Sequence, residues 1–204
     1  MNYYKLIKII FFIVLICSSQ NLKAQNRIEH KIAVLVNEEI ITSYDIIQRL
    51  KLGAIIKGIS LNSINNQILV NNTVDELIHE KLKSQKIKEY EIEISEDEYL
   101  QFETNFFDVN NTNKNLIIDL LDKNNIKHEA LKDLLIGELS WKKLINGLYY
   151  RLTSVSNLEV DEIIKKNPEI TNAQAKNLVI QRQLDLQSSK MLRDMMNEAT
   201  IEYK

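Results

Sequence analysis

The sequence predicts an all-α, mainly helical fold closed by a small antiparallel pairing of strands from its two ends. Glycine and proline, which tight turns use most, number only four and one among 204 residues. Over most of the chain, apolar residues recur at intervals of three and four, which is the helical period. Runs with strand character occur only near the two ends of the exported chain. These three observations together favour a helix-rich protein.

The N-terminal segment has the features of a secretory signal peptide. Lys5 and Lys8 charge its start, an apolar run follows, and Ala24 supplies the small residue expected at a cleavage site. The run is shorter than the roughly 20 residues that span a bilayer, so we expect cleavage after Ala24 rather than a retained anchor. Residues 25–204 would then form a single domain without a membrane span, most simply in a bacterial periplasm.

The exported chain begins with its strongest strand signal. Ile32–Val36 is apolar and rich in β-branched residues, which is typical of a short buried strand, and residues 37–39 predict a turn. Thr42 then stands as an N-cap with Asp45 at the third helical position, an approximate capping box that predicts the first helix. Residues 200–203 predict a terminal strand. Because two short strands can satisfy each other's edges, we expect residues 32–36 to pair with residues 200–203.

Six amphipathic helices are predicted after the first one. Each carries apolar residues on one face and polar or charged residues on the other. Two of them follow S-x-x-E capping boxes, at Ser95 and at Ser156. The helix after Ser156 ends at Asn167, because the residue before Pro168 avoids the helical region. The predicted helices cover residues 63–90, 95–109, 116–121, 128–151, 158–166 and 172–198.

Composition excludes several classes of function. Lys and Arg number 26 against 28 Asp and Glu, so no large positive field is available for a phosphate backbone and we expect no nucleic-acid partner. The four glycines do not form a G-x-G-x-x-G motif or a P-loop, which excludes the common nucleotide-binding motifs. Cys17, the only cysteine, lies in the leader and can form neither a disulfide nor a zinc site in the exported chain.

Taken in order, these segments resemble the SurA-type periplasmic chaperones and the related N-terminal domains of secreted foldases. The most specific stretch, residues 32–45 (IAVLVNEEIITSYD), is similar to that family's opening strand, acidic turn and Thr-capped first helix. Residues 191–203 are similar to its closing helix and strand. The looser matches are Leu77-Ile78 with Leu82, Ile94-Ser95 with Glu98, and Leu158-Glu159-Val160 with Glu162.

The resemblance implies a chaperone and not an enzyme. Typical family members insert one or two parvulin-type prolyl isomerase domains before the closing helix, whereas only residues 167–171 separate the two helices here. What remains corresponds to the chaperone core, which would run over residues 31–166 and 172–204. The family role is that of an ATP-independent holdase, which keeps unfolded outer-membrane proteins in transit to the outer-membrane assembly machinery.

Aromatic side chains are the candidates for binding unfolded client chains, because adaptable apolar surfaces accept many sequences without close fit. The same spacing is typical of ordinary helix core, which is the more frequent interpretation for any single residue. The candidates form a stripe and a second cluster: Tyr99, Phe102, Phe106 and Phe107, then Trp141, Tyr149 and Tyr150.

No pattern in the sequence predicts a catalytic or metal site. His30, His79 and His128 lie far apart, and none has a second His or Cys at ligand spacing, so we expect no metal and no cofactor. The acidic pairs stand at helix starts, where negative charge favours the helix dipole. Two other functions stay open: a helical envelope scaffold that binds one folded partner and, less favoured, a prolyl isomerase.

Overall fold

The computed structural model describes residues 31–64, 66–109 and 112–204. The predicted signal peptide and His30 lie outside these residues. Most of the described chain is helical, which confirms the mainly helical fold class predicted from the sequence. The elements are β1 (Ile32–Val36), β2 (Glu39–Thr42), α1 (Ser43–Ile56), α2 (Gln67–Glu89), α3 (Glu96–Val109), α4 (Lys114–Lys123), α5 (His128–Tyr149), α6 (Asn157–Lys166), α7 (Asn172–Glu198) and β3 (Ile201–Tyr203).

The two ends of the described chain pair in an antiparallel sheet of order β2-β1-β3. Val36 lies opposite Ile201 and Val34 lies opposite Tyr203, so the predicted pairing of residues 32–36 with 200–203 is confirmed. The sheet also contains β2, which the sequence indicated only as a turn leading into a helix. Asn37 explains this strand: its φ of 53° lets the chain reverse directly after β1 and form a hairpin.

Two of the predicted helix starts are confirmed by their hydrogen bonds. The Thr42 side chain accepts from the Asp45 backbone N–H, and the Asp45 carboxylate accepts from the Thr42 backbone N–H at 2.8 Å. Ser95 and Glu98 make the same reciprocal pair at the start of α3. A capping box therefore fixes each of these starts locally, as the sequence motif predicted.

Two other predictions about helix starts are corrected: the helix after Ser156 begins within one residue of the predicted position but lacks its capping box, and the helix predicted from residue 63 begins later. Ser156 precedes α6 but makes no side-chain capping bond, so the predicted box there does not form. The helix predicted from residue 63 begins at Gln67, because the Asn66 side chain caps it by accepting from the Ile68 backbone N–H. A short 3₁₀ turn occupies residues 61–63 instead. Residue 156 shows that a matching motif does not ensure that the side chain turns back onto the helix.

Three apolar clusters hold most of the fold together. The first joins α1, α3, α4 and the first half of α5, with Leu121 and Leu135 fully buried. The second joins the sheet to α2 and the end of α7, with Ile41 and Ile78 fully buried. The third joins the end of α5 to the middle of α7 around Trp141. Because α5 takes part in the first and third clusters and α2 takes part in the second and third, these elements form a continuous body.

A fourth cluster lies apart and defines a second region, which we call the arm (residues 153–179). The remaining described residues form the body. The arm packs α6 against the first half of α7, and α6 contacts no other element to a comparable extent. At about 100° per residue, Val179 and Leu184 lie on roughly opposite sides of α7. One side of α7 therefore faces α6 and the other faces the body. The buried arm residues are Val160, Ile163, Ala175 and Val179.

Candidate functional site

A groove with a volume of about 990 Å³ lies in the body. Its walls come from α1, α2 and α5, with β2 contributing at one end. α2 packs against both α1 and α5, so these two contacts fix the width of the groove. The apolar side chains that line it include Ile41, Leu52, Leu77, Ile87, Leu134 and Ile136.

Ion pairs join α1 to α2 along one wall of the groove. Arg49 Nε donates to Glu80 Oε1 at 2.8 Å, and Arg49 Nη2 lies 3.1 Å from Glu76 Oε2. The Arg49 side chain is mostly buried, whereas both glutamates are more open. Lys57 adds a longer pair, with its Nζ 3.6 Å from Glu76 Oε1. These contacts neutralise the charges of this wall against one another.

Near β2 the groove is bordered by a second group of ion pairs. Lys81 Nζ lies 3.1 Å from Glu39 Oε2, and Lys88 Nζ lies 3.8 Å from Glu39 Oε1. Since Glu39 belongs to β2 and both lysines belong to α2, these pairs hold the sheet against α2 at the mouth of the groove.

The α5 wall differs because it is open and acidic. A Cβ atom placed on Gly137 would meet no heavy atom within 4 Å, so there is free space directly above the helix backbone. Asp133 and Glu138 also line the groove, and neither makes an ion pair or hydrogen bond with any of the described residues. Glu138 is open to solvent, yet the surrounding atoms still desolvate its carboxyl and raise its pKa above the ordinary value.

His79 is the histidine that lines the groove. Burial lowers its pKa, and the neighbouring Lys83 ammonium acts in the same direction. The imidazole is therefore held in its neutral form more strongly than an exposed histidine. A neutral ring adds polar but uncharged surface to the wall formed by α2.

An apolar floor with charged borders suits an extended chain better than a small polar ligand. Apolar side chains can lie on the floor while the peptide backbone stays near water and the charged borders. The open space at Gly137 lets a chain approach the α5 backbone closely, which is a common use of glycine. The groove can therefore hold short apolar segments of many sequences.

The predicted aromatic stripe lies outside this groove, in the first cluster. Tyr99 and Phe107 are each 6% exposed, and Phe102 and Phe106 pack partly buried beside them. Phe106 meets Phe107 edge to face, with ring centroids 5.3 Å apart. The Tyr99 hydroxyl donates to Glu103 Oε1 at 2.7 Å. The four rings are thus tied into the contact of α3 with its neighbouring helices.

The second predicted group, Trp141, Tyr149 and Tyr150, lies around the end of α5. Trp141 is 6% exposed, and its Nε1 donates to Ser188 Oγ at 2.8 Å, which ties α5 to α7. Tyr149 is partly buried in the same cluster, whereas Tyr150 is 56% exposed. The structure therefore places the seven aromatic residues in two separate clusters. Their role in client binding stays a prediction, and Tyr150 is the most accessible of them.

The groove was not predicted from the sequence, although one residue, a glycine inside a predicted helix, indicated it. A glycine in a helix interior costs roughly 0.5–1 kcal/mol relative to alanine, so Gly137 in the middle of α5 needs a reason. Sequence also missed several exposed apolar side chains where α5 leads into the arm. Those most exposed in this region are Leu152 and Leu158.

Two kinds of feature are absent from the part of the chain that the structure describes. No helix within residues 31–64, 66–109 and 112–204 is long and apolar enough to cross a membrane. In the same part of the chain, no group of three or more His, Cys, Asp or Glu side chains is arranged to hold a metal ion. His128 instead lies 2.7 Å from the Asp122 carboxylate at the start of α5.

Comparison with known proteins finds distant likeness to solved structures. No protein-family model matches the chain, and no curated protein sequence matches it. The fold is similar to a solved structure from work on two structurally related SurA-like chaperones of Campylobacter jejuni, the virulence factor PEB4 and the periplasmic protein Cj1289. The identity is 16%, the TM-score is 0.43, and the match covers 85% of this chain and 98% of that chain. This likeness is too distant to assign a function.

Proposed function

We propose that the protein is an ATP-independent holdase that binds apolar segments of unfolded envelope proteins in the groove between α1, α2 and α5. The observation that carries the proposal is the open apolar floor beside Gly137, where a helix interior lacks a side chain and nothing fills the space. The resemblance of residues 32–45 to SurA-type chaperones supports the same function.

Holding a client without ATP requires contacts that are individually weak. A groove that buries only a few client side chains at a time gives modest affinity, and a client that folds is withdrawn by mass action. The contacts with a client are distributed over walls that different helices form. We therefore expect single substitutions outside the floor to have small effects on client binding.

The compartment and clients follow from the leader and from the resemblance. A cleavable signal peptide over residues 1–24 would export the chain to the periplasm. Unfolded outer-membrane β-barrel proteins are the proposed clients, because they cross that compartment before they reach the outer-membrane assembly machinery.

The experiment is aggregation of a denatured outer-membrane β-barrel protein, followed by light scattering after dilution without nucleotide. Three proteins are compared: wild type, Gly137→Leu and Gly147→Leu. Both glycines lie in α5 with open space around their Cβ positions, and leucine is a better helix former, so both variants should fold. Only Gly137 lines the groove. We expect wild type and Gly147→Leu to suppress scattering at near-stoichiometric amounts and Gly137→Leu to lose most of that effect.

The alternatives give other outcomes. If both leucine variants suppress aggregation as well as wild type does, the groove is not the binding site and the exposed apolar residues near Tyr150 come next. If folded wild type does not suppress aggregation, the holdase proposal fails, and a pull-down from envelope extract would test for a single folded partner. Catalysis of proline-peptide isomerisation by the purified chain would overturn the non-enzymatic assignment.

A further inference from the structure

The charges of the groove are paired unevenly. On the α1, α2 and β2 sides, Arg49, Lys81 and Lys88 all lie within 4 Å of a glutamate. On the α5 side, Asp133 and Glu138 have no such partner within the part of the chain that the structure describes. The groove thus presents, on the α1, α2 and β2 sides, cations that mostly lie close to a glutamate, opposite a wall that carries two carboxylates without an ion-pair partner.

No lysine or arginine of the body is placed to form an ion pair with Glu138. The Arg49 guanidinium is bonded to Glu76 and Glu80, and the Lys83 ammonium lies 5.6 Å from the centroid of the Trp141 ring. Arg49 and Lys83 attract the Glu138 carboxylate from a distance, while Glu76 and Glu80 repel it. An ammonium or guanidinium in direct contact with Glu138 is therefore missing among the described residues.

The two carboxylates also flank the open space in the groove. Asp133 precedes Gly137 by about one helical turn, and Glu138 follows it directly in α5. A lysine or arginine side chain can lie with its aliphatic stem on apolar surface and its charged end in a polar border. Asp133 and Glu138 are five residues apart and so point to different sides of α5, and a client cation entering beside Gly137 would meet one carboxylate or the other.

From this arrangement we infer that the groove selects apolar client segments that carry a lysine or arginine, whose cation binds the α5 wall at Asp133 or at Glu138. The inference rests on the proposed function and specifies its client chemistry. Partial desolvation strengthens it, because a carboxylate that has lost hydration gains more from a cation than one in open water.

The test uses three fluorescent peptides that share the same apolar residues and differ only at a central Lys, Gln or Glu. Binding to the purified protein is followed by fluorescence anisotropy at low and at high salt. We expect the Lys peptide to bind about threefold to tenfold more tightly than the Gln peptide, and the Glu peptide to bind more weakly than both. Salt should reduce these differences, because a charged contact at an open groove is screened.

A pair of double variants locates the preference. Asp133→Asn with Glu138→Gln should bind the three peptides almost equally, with the affinity for the Gln peptide retained. The matched control is Asp119→Asn with Glu162→Gln, which removes the same charge from exposed residues outside the groove. The control should keep the preference of wild type for the Lys peptide.

Each other result contradicts a distinct claim. Equal binding of the three peptides by wild type overturns the charge selection but leaves the holdase proposal standing. A preference that survives in the Asp133 and Glu138 double variant, or disappears in the control, overturns the assignment to the α5 wall. Failure of wild type to bind any of the peptides overturns this inference together with the role of the groove in client binding.

Discussion

The body and the arm use the same kind of amphipathic helix but differ in how many neighbours each helix has. In the body, α5 packs against α2, α3, α4 and α7, and its residues belong to two apolar clusters. In the arm, α6 packs against α7, and four buried residues make the whole cluster. A helix with one neighbour loses all its packing when that one contact opens. A helix with several neighbours keeps most of its packing when one contact opens.

This difference separates the roles that the two regions can have. A groove needs walls that hold their spacing when empty, and its three helices all lie in the body. The arm can open locally at a lower free energy than global unfolding, because little apolar surface depends on it. Its exposed Leu158 and Leu178 would then be presented on a movable element. Measurements of stability test this difference between the body and the arm.

The largest effect is expected from a cavity in the body. Leu135 is fully buried in the first cluster, so Leu135→Ala should lower the free energy of global unfolding by about 2–5 kcal/mol. Urea denaturation followed by circular dichroism measures this change. Hydrogen exchange should show faster exchange throughout the body, since its helices unfold together.

The matched substitution in the arm is Ile163→Ala. Ile163 is 3% exposed, and its replacement by alanine removes an apolar side chain comparable in size to that of Leu135. We expect rapid exchange confined to α6 and the first half of α7, with body amides protected as in wild type. A loss of protection in both regions together would show that body and arm unfold as one unit and would contradict the distinction.

A middle-sized effect is expected from the capping box that starts α7. The Thr171 side chain accepts from the Gln174 backbone N–H, and Gln174 Oε1 accepts from the Thr171 backbone N–H at 2.7 Å. Thr171→Ala removes the side-chain half and should cost about 1 kcal/mol. The loss should be seen as faster exchange of residues 172–179.

Thr42→Ala is the control, because Thr42 makes the same box with Asp45 at the start of α1 in the body. There the cost, again about 1 kcal/mol, should be seen in the urea midpoint of global unfolding. If Thr171→Ala shifts that midpoint as much as Thr42→Ala does, the arm is coupled to the body more tightly than its packing indicates.

The features that sequence predicted well depend on a few neighbouring residues. The caps at Thr42 and Ser95 need only residues three positions away, and the apolar run of β1 is strand-like by composition. The pairing of β1 with β3, which are distant in sequence, was also predictable. The sequence has few strand-like runs, and the edge of each strand needs a partner. The turn after β1 was predicted, but the strand β2 that follows it was not, because only the four residues Glu39–Thr42 lie between that turn and the first helix.

The site was less predictable because it depends on which helices meet. A helical stripe such as that around Tyr99 shows that one face is buried but does not show against what, and here the partner is the first cluster. The groove arises where α1, α2 and α5 meet, and no local pattern encodes that meeting. Gly137 was the one local signal, and its meaning depends on knowing that the space above it is open.

The smallest expected effect on stability comes from the Glu138 carboxylate in the body, because the folded state disfavours its charged form. Partial desolvation by the surrounding atoms raises the pKa of Glu138 above the value it has when unfolded, so between those two pKa values the native state binds more protons than the unfolded state. Stability from this group is therefore present at low pH and is lost as pH rises through the raised pKa. At Glu138 the proposed function and the stability of the fold thus oppose each other.

Glu138→Gln removes this loss and should make the protein slightly more stable than wild type at neutral pH. The difference should shrink as the pH falls toward the ordinary pKa of a glutamate, where both proteins carry a neutral side chain. Arg49, Lys83, Glu76 and Glu80 face this carboxylate, and they are common to both proteins, so their own titration largely cancels in the difference. The measurement is urea denaturation of both proteins at a series of pH values, with Glu162→Gln as the control at an exposed position on the arm. A Glu138→Gln protein that is less stable than wild type at neutral pH would mean that Arg49 and Lys83 stabilise the carboxylate more than desolvation opposes it, and the α5 wall would then already be neutralised without a client.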